Sequence, residues 1–284
     1  MRTKRFLAKT RHAFREALGH DVINTAKAAA YSAMLTLFPA LLVVTTLLSQ
    51  AQEGNTLMGD LRAMFEQFLP ADTMDLLQSA VLRHTVHSFP VILTATSLSL
   101  FASLGVILSL MEGFRRAYDI PLGDWGFWSR RGRALLLVPI IMIPLTVATL
   151  MIVFGHQIEY WMMAYAGHDL RRFVLLFWRI ARWSIALTTS MAVLAVLYHF
   201  GTKRTEKWVA VIPGAIAATL IWFPATLLFG WYVTRDENYS RFYGSFAAGI
   251  ATLVWLYITS FSVLLGAELN GAVYRERQGE AAEG

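Results

Sequence analysis

The sequence predicts an all-α integral membrane protein that crosses the bilayer six times. Hydrophobic residues make up 56% of its 284 residues and charged residues only 15%, whereas an average soluble domain carries about 25% charged residues. Because a helix rises about 1.5 Å per residue, about 20 apolar residues cross a hydrocarbon core of about 30 Å. Six stretches of roughly this length contain no Asp, Glu, Lys or Arg: 28–49, 89–111, 134–155, 183–200, 210–231 and 244–266.

The first stretch has to be distinguished from a signal peptide, and the fourth is shorter than the others. The first follows a basic leader, and Ser49, Gln50 and Ala51 resemble a signal-peptide cleavage site. Its apolar core is longer than the roughly 7–15 residues of a signal peptide, which favours a span. The fourth stretch is short, but Arg179 and Arg182 precede it and can extend their side chains to the interface. We interpret both stretches as transmembrane helices.

The distribution of lysine and arginine predicts that both termini lie in the cytoplasm. These residues gather in the cytoplasmic segments of membrane proteins. Of the 25 in this chain, 17 fall before the first span, in the second and fourth connections, or after the sixth span. The predicted organisation is therefore a cytoplasmic leader at 1–27, a membrane domain at 28–266 with an external segment at 50–88, and a cytoplasmic tail at 267–284.

Two segments outside the spans are predicted to be structured. The leader places four apolar residues among basic ones, which favours an amphipathic helix on anionic lipid headgroups over a disordered leader. In segment 50–88, apolar residues recur at helical spacing on both sides of Pro70, which predicts an external helical hairpin. That hairpin could pack on the bundle, bind a partner or cap a cavity. The leader residues are Phe6, Phe14, Leu18 and Val22, and the hairpin residues include Leu57, Leu61, Met64, Phe65, Phe68, Leu76, Leu77, Ala80 and Val81.

Several motifs carry a resemblance to a known family. The first span begins AAAYSAMLTLFP at 28–39, and the fifth begins PGAIAATLIW at 213–222. The sixth contains YGSFAAGIATLVWLY at 243–257 and is followed by GAELN at 266–270. These segments resemble the YihY/BrkB (UPF0761) family of bacterial inner-membrane proteins, once labelled ribonuclease BN. The resemblance runs from about Phe14 to Tyr274, with a departure at 199–204, where relatives usually carry a proline. It implies six helices with both termini inside, and it implies no settled biochemical activity.

The sequence lacks the residue clusters that hydrolytic chemistry needs. It has no cysteine, and of its seven histidines only His84 and His87 are close together. With Asp72 or Asp75 they could bind a metal, but two histidines on an exposed helix are the better interpretation. The HExxH, GxSxG and P-loop motifs are absent. We therefore expect no enzyme activity, ribonuclease included, and no metal, cofactor or nucleic-acid partner.

Polar residues in and near the spans are the candidate functional residues. Small residues four apart, such as Gly214 and Ala218, predict close helix contacts, which also accounts for many hydroxyl groups. The alternative is that some hydroxyls line a path for a substrate. The candidate path residues are Tyr31, Ser32, Thr36, Tyr257, Thr259, Ser260, Glu268 and Asn270. A candidate external polar ring comprises Arg235, Asp236, Asn238, Tyr239 and Arg241.

Two further observations bear on function. No charged residue lies deep in a predicted span, whereas ion-driven transporters usually keep an intramembrane acid. Five prolines lie in or at the ends of spans, where kinked helices can surround a cavity. Both favour transport or handling of a lipid or other amphiphile in the bacterial envelope, with membrane lipids as partners. The alternative function is that of a non-transporting scaffold. The alternative role of Glu268 is a purely structural tie to Lys27 or Arg275.

Overall fold

The computed structural model describes residues 17, 19–50, 89–121, 126–145, 171–202, 207–235 and 246–283, which contain no strand. Most of the predicted leader and of the predicted hairpin at 50–88 lies outside the described residues. All six predicted spans correspond to long helices, although the third is described only as far as residue 145. The helices are α1 (Val22–Gln50), α2 (Phe89–Ala117), α3 (127–145), α4 (Arg171–Gly201), α5 (Trp208–Arg235) and α6 (Ala247–Glu283).

Four helices in the described part of the chain are long and apolar enough to cross a membrane. Their mean hydropathy lies between 1.6 and 1.9 over the best window. The spans are Leu93–Ala117, Leu176–Gly201, Trp208–Val233 and Gly249–Gln278. The structure therefore supports an all-helical membrane protein, and the count of six spans stays a prediction.

The helices extend beyond the charge-free stretches that predicted them. α4 begins at Arg171, well before the predicted span 183–200, and α6 continues to Glu283 rather than ending near Gly266. Charge-free stretches mark only the part of a helix that faces hydrocarbon, whereas a helix can continue where its charged side chains reach water. Glu268 and Asn270 consequently lie within α6, not in a tail that follows it.

α6 is the central helix of the bundle. It packs against α5, α1 and α2, while α1 packs against α2 and α4 packs against α5. Contacts near the helix ends show which ends lie close to one another. The start of α1 meets the end of α2 through Asp21 and Arg116, and the start of α3 meets α2 through Arg130 and Glu112. The starts of α1 and α3 and the end of α2 therefore share one end of the bundle.

The bundle buries an aromatic core and exposes large apolar side chains on its outside. Phe114, Tyr118 and Tyr198 are almost fully buried, and Phe114 packs edge-on against Tyr198 with ring centroids 5.3 Å apart. In contrast, Phe101 is 75% exposed, and many leucines and isoleucines of α3, α4 and α5 are exposed as well. An apolar exterior of this extent is expected where lipid rather than water surrounds the protein.

Exposed tryptophans mark two levels along α5. Trp208 lies at the first residue of the helix and Trp231 near its end, and both are exposed. Trp231 follows Trp208 by 23 positions, which correspond to about 34 Å of helix, close to the thickness of a hydrocarbon core. Tryptophan prefers the boundary between lipid and water. The level of Trp208 is thus a marker for the membrane boundary at one end of the bundle.

Candidate functional site

One end of the bundle carries a dense group of charged side chains. They come from the turn before α1, the end of α2, the turn that follows it, the start of α3 and the later part of α6. We name this group the charged end. Its members are His20, Asp21, Glu112, Arg115, Arg116, Asp119, Arg130, Glu268 and Arg275.

Asp119 lets the chain turn sharply after α2. Its φ of 48° lies in the left-handed region, which aspartate adopts more readily than most residues with a side chain. The N–H of Asp119 donates to the carbonyl of Arg116 at 3.0 Å, and the N–H of Ile120 donates to that of Arg115 at 2.9 Å. This pair of bonds is a common way to end a helix. The turn buries Ile120 and carries the Asp119 carboxylate to His20.

His20 lies between two carboxylates. Its Nδ1 is 3.0 Å from each oxygen of Glu268, and its Nε2 is 3.7 Å from Oδ1 of Asp119. Glu268 is fully buried, whereas Asp119 is exposed. A neutral imidazole donates from one nitrogen, whereas a protonated ring donates from both. The arrangement therefore places an imidazole ring nitrogen beside a buried carboxylate.

Glu112 forms ion pairs with three arginines from two helices. Its Oε1 lies 2.7 Å from Nη2 of Arg115 and 3.3 Å from Nε of Arg116, both on α2. Its Oε2 lies 3.2 Å from Nη2 of Arg130 on α3. Arg130 also donates to the carbonyl of Leu108 at 3.0 Å. These bonds hold the start of α3 against α2.

Two arginines connect α2 to its other neighbours. Arg116 places Nη1 at 3.2 Å from Oδ2 of Asp21, at the start of α1. Arg275 of α6 donates to the last carbonyl of α2, that of Ala117, at 2.6 Å and lies 3.1 Å from Asp119. A cation is favourable at the C-terminus of a helix. Separation of α1, α2, α3 or α6 at this end would break ion pairs.

Asn270 joins α6 to α5 just inside the charged end. Its Oδ1 accepts from the N–H of Gly214 at 2.7 Å, and its Nδ2 donates to the carbonyl of Val211 at 3.1 Å. Pro213 lies between these two residues and lacks an N–H, so the helical bonding of α5 is interrupted here. The buried Asn270 amide therefore bonds backbone groups of α5 on both sides of Pro213.

Glycines allow the helices to approach closely beside Asn270. A Cβ on Gly266 would collide with the hydroxyl of Tyr198, the carbonyl of Gly214 and the Cβ of Ala218. Tyr198 donates to the carbonyl of Val263 at 2.6 Å, which ties α4 to α6. The structure thus places the predicted small pair, Gly214 and Ala218, at a close α5–α6 contact.

The candidate path residues of α1 do not converge on Glu268. Tyr31 is 62% exposed on the outside of the bundle. Ser32 is half-buried and faces Gly105 of α2, where a Cβ would lie 3.1 Å from its Oγ. Thr36 donates to the carbonyl of Ser32 at 2.8 Å, within its own helix. Ser32 and Thr36 therefore take part in helix packing, and Tyr31 lies on a surface that faces lipid.

Most of the candidate path residues of α6 lie inside the bundle. Thr259 accepts a hydrogen bond from Nε1 of Trp222 at 3.0 Å, and Ser260 is buried. Tyr257 is half-buried and stacks on Phe261 with centroids 5.9 Å apart. Glu268 and Asn270 are buried at the charged end. α6 therefore carries buried polar groups along much of its length.

The candidate external ring is described at one residue only. Arg235 is exposed, and its guanidinium lies 5.4 Å from the ring centroid of Trp231 at the end of α5. The other four members, Asp236, Asn238, Tyr239 and Arg241, lie outside the described residues.

Glu268 has a partner that the sequence did not indicate. The predicted structural ties were Lys27 and Arg275, and the structure brings His20 to the carboxylate as a partner. Lys27 instead donates to Oδ1 of Asn24 at 3.3 Å. Sequence reasoning also missed the cluster around Glu112, although Arg115 and Arg116 follow it at helical spacing.

The described residues include no group of three or more His, Asp or Glu side chains that could hold a metal ion. The metal ligands considered from the sequence, His84 and His87 with Asp72 or Asp75, lie outside the described residues.

Comparisons with known proteins address the identity of the whole chain. It is 26% identical to YfkH of Bacillus subtilis, which is named as ribonuclease-like, over 91% of this chain and 92% of that protein. It is 24% identical to a UPF0761 membrane protein of Aromatoleum aromaticum, over 86% of this chain and 58% of that protein. A UPF0761 membrane protein of Chromohalobacter salexigens is 25% identical over 92% of this chain and 62% of its own length.

The chain thus spans about three fifths of the length of these two UPF0761 relatives. No solved structure matches the chain. The profile of the family described as virulence factor BrkB matches residues 13–284. With the apolar helices and the relatives named as membrane proteins, this match shows that the chain belongs to the BrkB family of membrane proteins.

Proposed function

We propose that this protein transports or otherwise handles a lipid or other amphiphile in the inner membrane of a bacterium, with both termini in the cytoplasm. One observation carries the proposal: Glu268 is fully buried within Gly249–Gln278, a helix segment apolar enough to span the membrane. An ionisable side chain in such a segment is costly, and it usually faces the bundle interior and marks a functional site.

The depth of Glu268 suits a headgroup site. Asn270 contacts Gly214, which lies six residues after the exposed Trp208 on α5. Six residues correspond to about 9 Å of helix, so this layer lies just inside the membrane boundary that Trp208 marks. A polar headgroup could reach this depth while its acyl chains stay in the bilayer.

The polar groups of α5 and α6 support a route from this layer into the bundle. Among the described residues, most buried polar side chains lie on these two helices. They are Thr219, Thr226, Thr252, Ser260, Ser262, Glu268 and Asn270. Small molecules and lipids that cross membranes through proteins follow polar residues that face the bundle interior.

Lipid headgroups at the cytoplasmic face are the proposed partners of the outer surface. At the charged end, Phe127, Trp128 and Arg131 are exposed, and Arg131 stacks over the ring of Phe127 at 3.5 Å. Aromatic rings with adjacent basic side chains are typical of segments that contact anionic headgroups.

A scaffold is the second candidate function. The close contacts at Gly214, Gly266 and Gly271 favour a bundle that does not open at this end. A scaffold would need the charged end only for stability, whereas a lipid-handling protein would need Glu268 for activity. The two functions therefore differ in the effect of a substitution that keeps the fold.

Replacing Glu268 by Gln tests this difference. We expect normal abundance of folded protein and loss of function in a strain whose envelope integrity depends on this protein, because glutamine keeps the size but not the charge. Glu276→Gln is the matched control, since Glu276 is exposed on the same helix. Tyr31→Phe tests the predicted role of that hydroxyl separately. Normal envelope integrity in the Glu268→Gln and Tyr31→Phe strains would leave only a structural role for both residues.

We also propose that the protein is not an enzyme and has no nucleic-acid partner. The ribonuclease-like name of YfkH makes RNA cleavage the activity to test. Purified protein with added divalent metal is expected to leave RNA intact, because a hydrolytic metal site needs clustered carboxylates or histidines. Cleavage that copurifies with the chain and disappears in a His84→Ala/His87→Ala variant would contradict this expectation.

A further inference from the structure

Two buried threonines of α5 and α6 do not bond as Thr219 and Thr259 of these helices do. Thr219 and Thr259 each donate to the carbonyl four residues earlier, at 2.9 Å. Thr226 and Thr252 are 5% and 4% exposed, and their hydroxyls have no hydrogen-bond partner among the described residues. An unpaired hydroxyl in an apolar interior is unfavourable, so a pair of them calls for a physical explanation.

The register of the α5–α6 interface places these two threonines at similar levels on facing helices. Trp222 of α5 bonds Thr259 of α6, and these helices run antiparallel. Thr226 follows Trp222 by four residues and Thr252 precedes Thr259 by seven, so both lie on the helix faces that meet. The remaining offset along the axis is three residues, which is less than one helical turn.

The backbone of α6 near Thr252 is packed less tightly than the backbone near the charged end. A Cβ on Gly249, one turn before Thr252, would meet only Cε of Met34, at 3.9 Å, among the described atoms. A Cβ on Gly266 would collide with backbone of α5. The backbone of α6 is therefore packed tightly at Gly266 and less tightly at Gly249, on the side of the helix that faces α1.

We propose that Thr226 and Thr252 form a subsite that binds a hydroxyl group within the α5–α6 interface. Each threonine hydroxyl can donate one hydrogen bond and accept others, so the pair can bind one group from both sides. The bound hydroxyl belongs to a water molecule or to the polyol headgroup of a lipid. This inference does not depend on the proposed function, because a hydroxyl subsite can serve structure or passage.

The experiment uses the purified protein and the isosteric change from threonine to valine. The variants are Thr226→Val, Thr252→Val and the double variant. The control is Thr219→Val, since Thr219 is fully buried on the same helix but bonds its own backbone. Valine keeps the shape of threonine, so all variants are expected to fold.

Two measurements distinguish the sources of the hydroxyl. Radiolytic labelling in heavy-oxygen water reports water held beside Trp222 and Phe229. Thermal unfolding with added monooleoylglycerol, compared with methyl oleate, reports a polyol headgroup, because methyl oleate has no hydroxyl. We expect one of the two signals in the unmodified protein and in Thr219→Val, and its loss in the double variant. If the double variant matches the unmodified protein in both measurements, the subsite does not exist.

Discussion

Gly266→Ala is expected to destabilise the bundle strongly. The new Cβ would meet the backbone carbonyl of Gly214 as well as Tyr198 and Ala218, so α5 and α6 would have to separate. Overpacking of this kind costs about 1–3 kcal/mol, and more when backbone must move. The measurement is the thermal unfolding temperature of the purified protein in detergent.

Gly249→Ala is the matched control for this prediction. It makes the same change on the same helix, where the new Cβ would have only Met34 within 4 Å among the described atoms. We expect an unfolding temperature close to that of the unmodified protein. Adding Tyr198→Phe to Gly266→Ala should not restore stability, because the collision with the Gly214 carbonyl remains. Equal stability of the two alanine variants would show that α5 and α6 do not meet at Gly266.

Asn270→Leu is expected to have the second large effect on stability. It removes two interhelical bonds and leaves the N–H of Gly214 and the carbonyl of Val211 without this partner in an apolar interior. Hydrogen bonds between membrane helices are worth up to about 1.7 kcal/mol each. We therefore expect a loss of about 2–4 kcal/mol, seen as a lower unfolding temperature and lower abundance.

Asn24→Leu is the control, because Asn24 is an exposed asparagine of α1 whose bonds are made to Asp21 and Lys27. It should change the unfolding temperature little. Two equally stable variants would mean that the Asn270 amide does not bond the backbone of α5.

The sequence predicts the positions of the helices better than their ends. A charge-free stretch is sufficient to locate a helix in lipid, and each predicted span corresponds to a helix. The ends of α4 and α6 were missed because Arg171 and Glu276 belong to helices that continue beyond the apolar stretch. The length of a charge-free stretch reports how much of a helix faces lipid. It does not report where the backbone hydrogen bonds of that helix end.

The candidate site could be predicted only in part. Glu268 and Asn270 were identified from their place next to the sixth span, and both are buried. His20 was not identified, because it meets Glu268 across 248 positions of the chain and no local pattern reports such a contact. Tyr31 was placed on the path because of its hydroxyl, but the face of α1 that meets lipid depends on its neighbours.

The turn after α2 shows a further limit. Glycine is the usual residue where a helix ends in a left-handed turn, and Asp119 takes that position here. Its side chain can therefore take part in the charged end, which a glycine could not do. A pattern search for helix ends by glycine overlooks such a residue.

The central claim, that this protein handles amphiphiles through the layer around Glu268, is tested most directly by lipid movement in vesicles. Purified protein is reconstituted into vesicles of phosphatidylethanolamine and phosphatidylglycerol that contain a fluorescent phosphatidylglycerol, and dithionite bleaches the label in the outer leaflet. We predict that vesicles with unmodified protein or Glu276→Gln lose fluorescence beyond the outer-leaflet fraction, and that vesicles with Glu268→Gln behave like protein-free vesicles. Folded, unmodified protein that leaves the inner-leaflet label fully protected would contradict the claim.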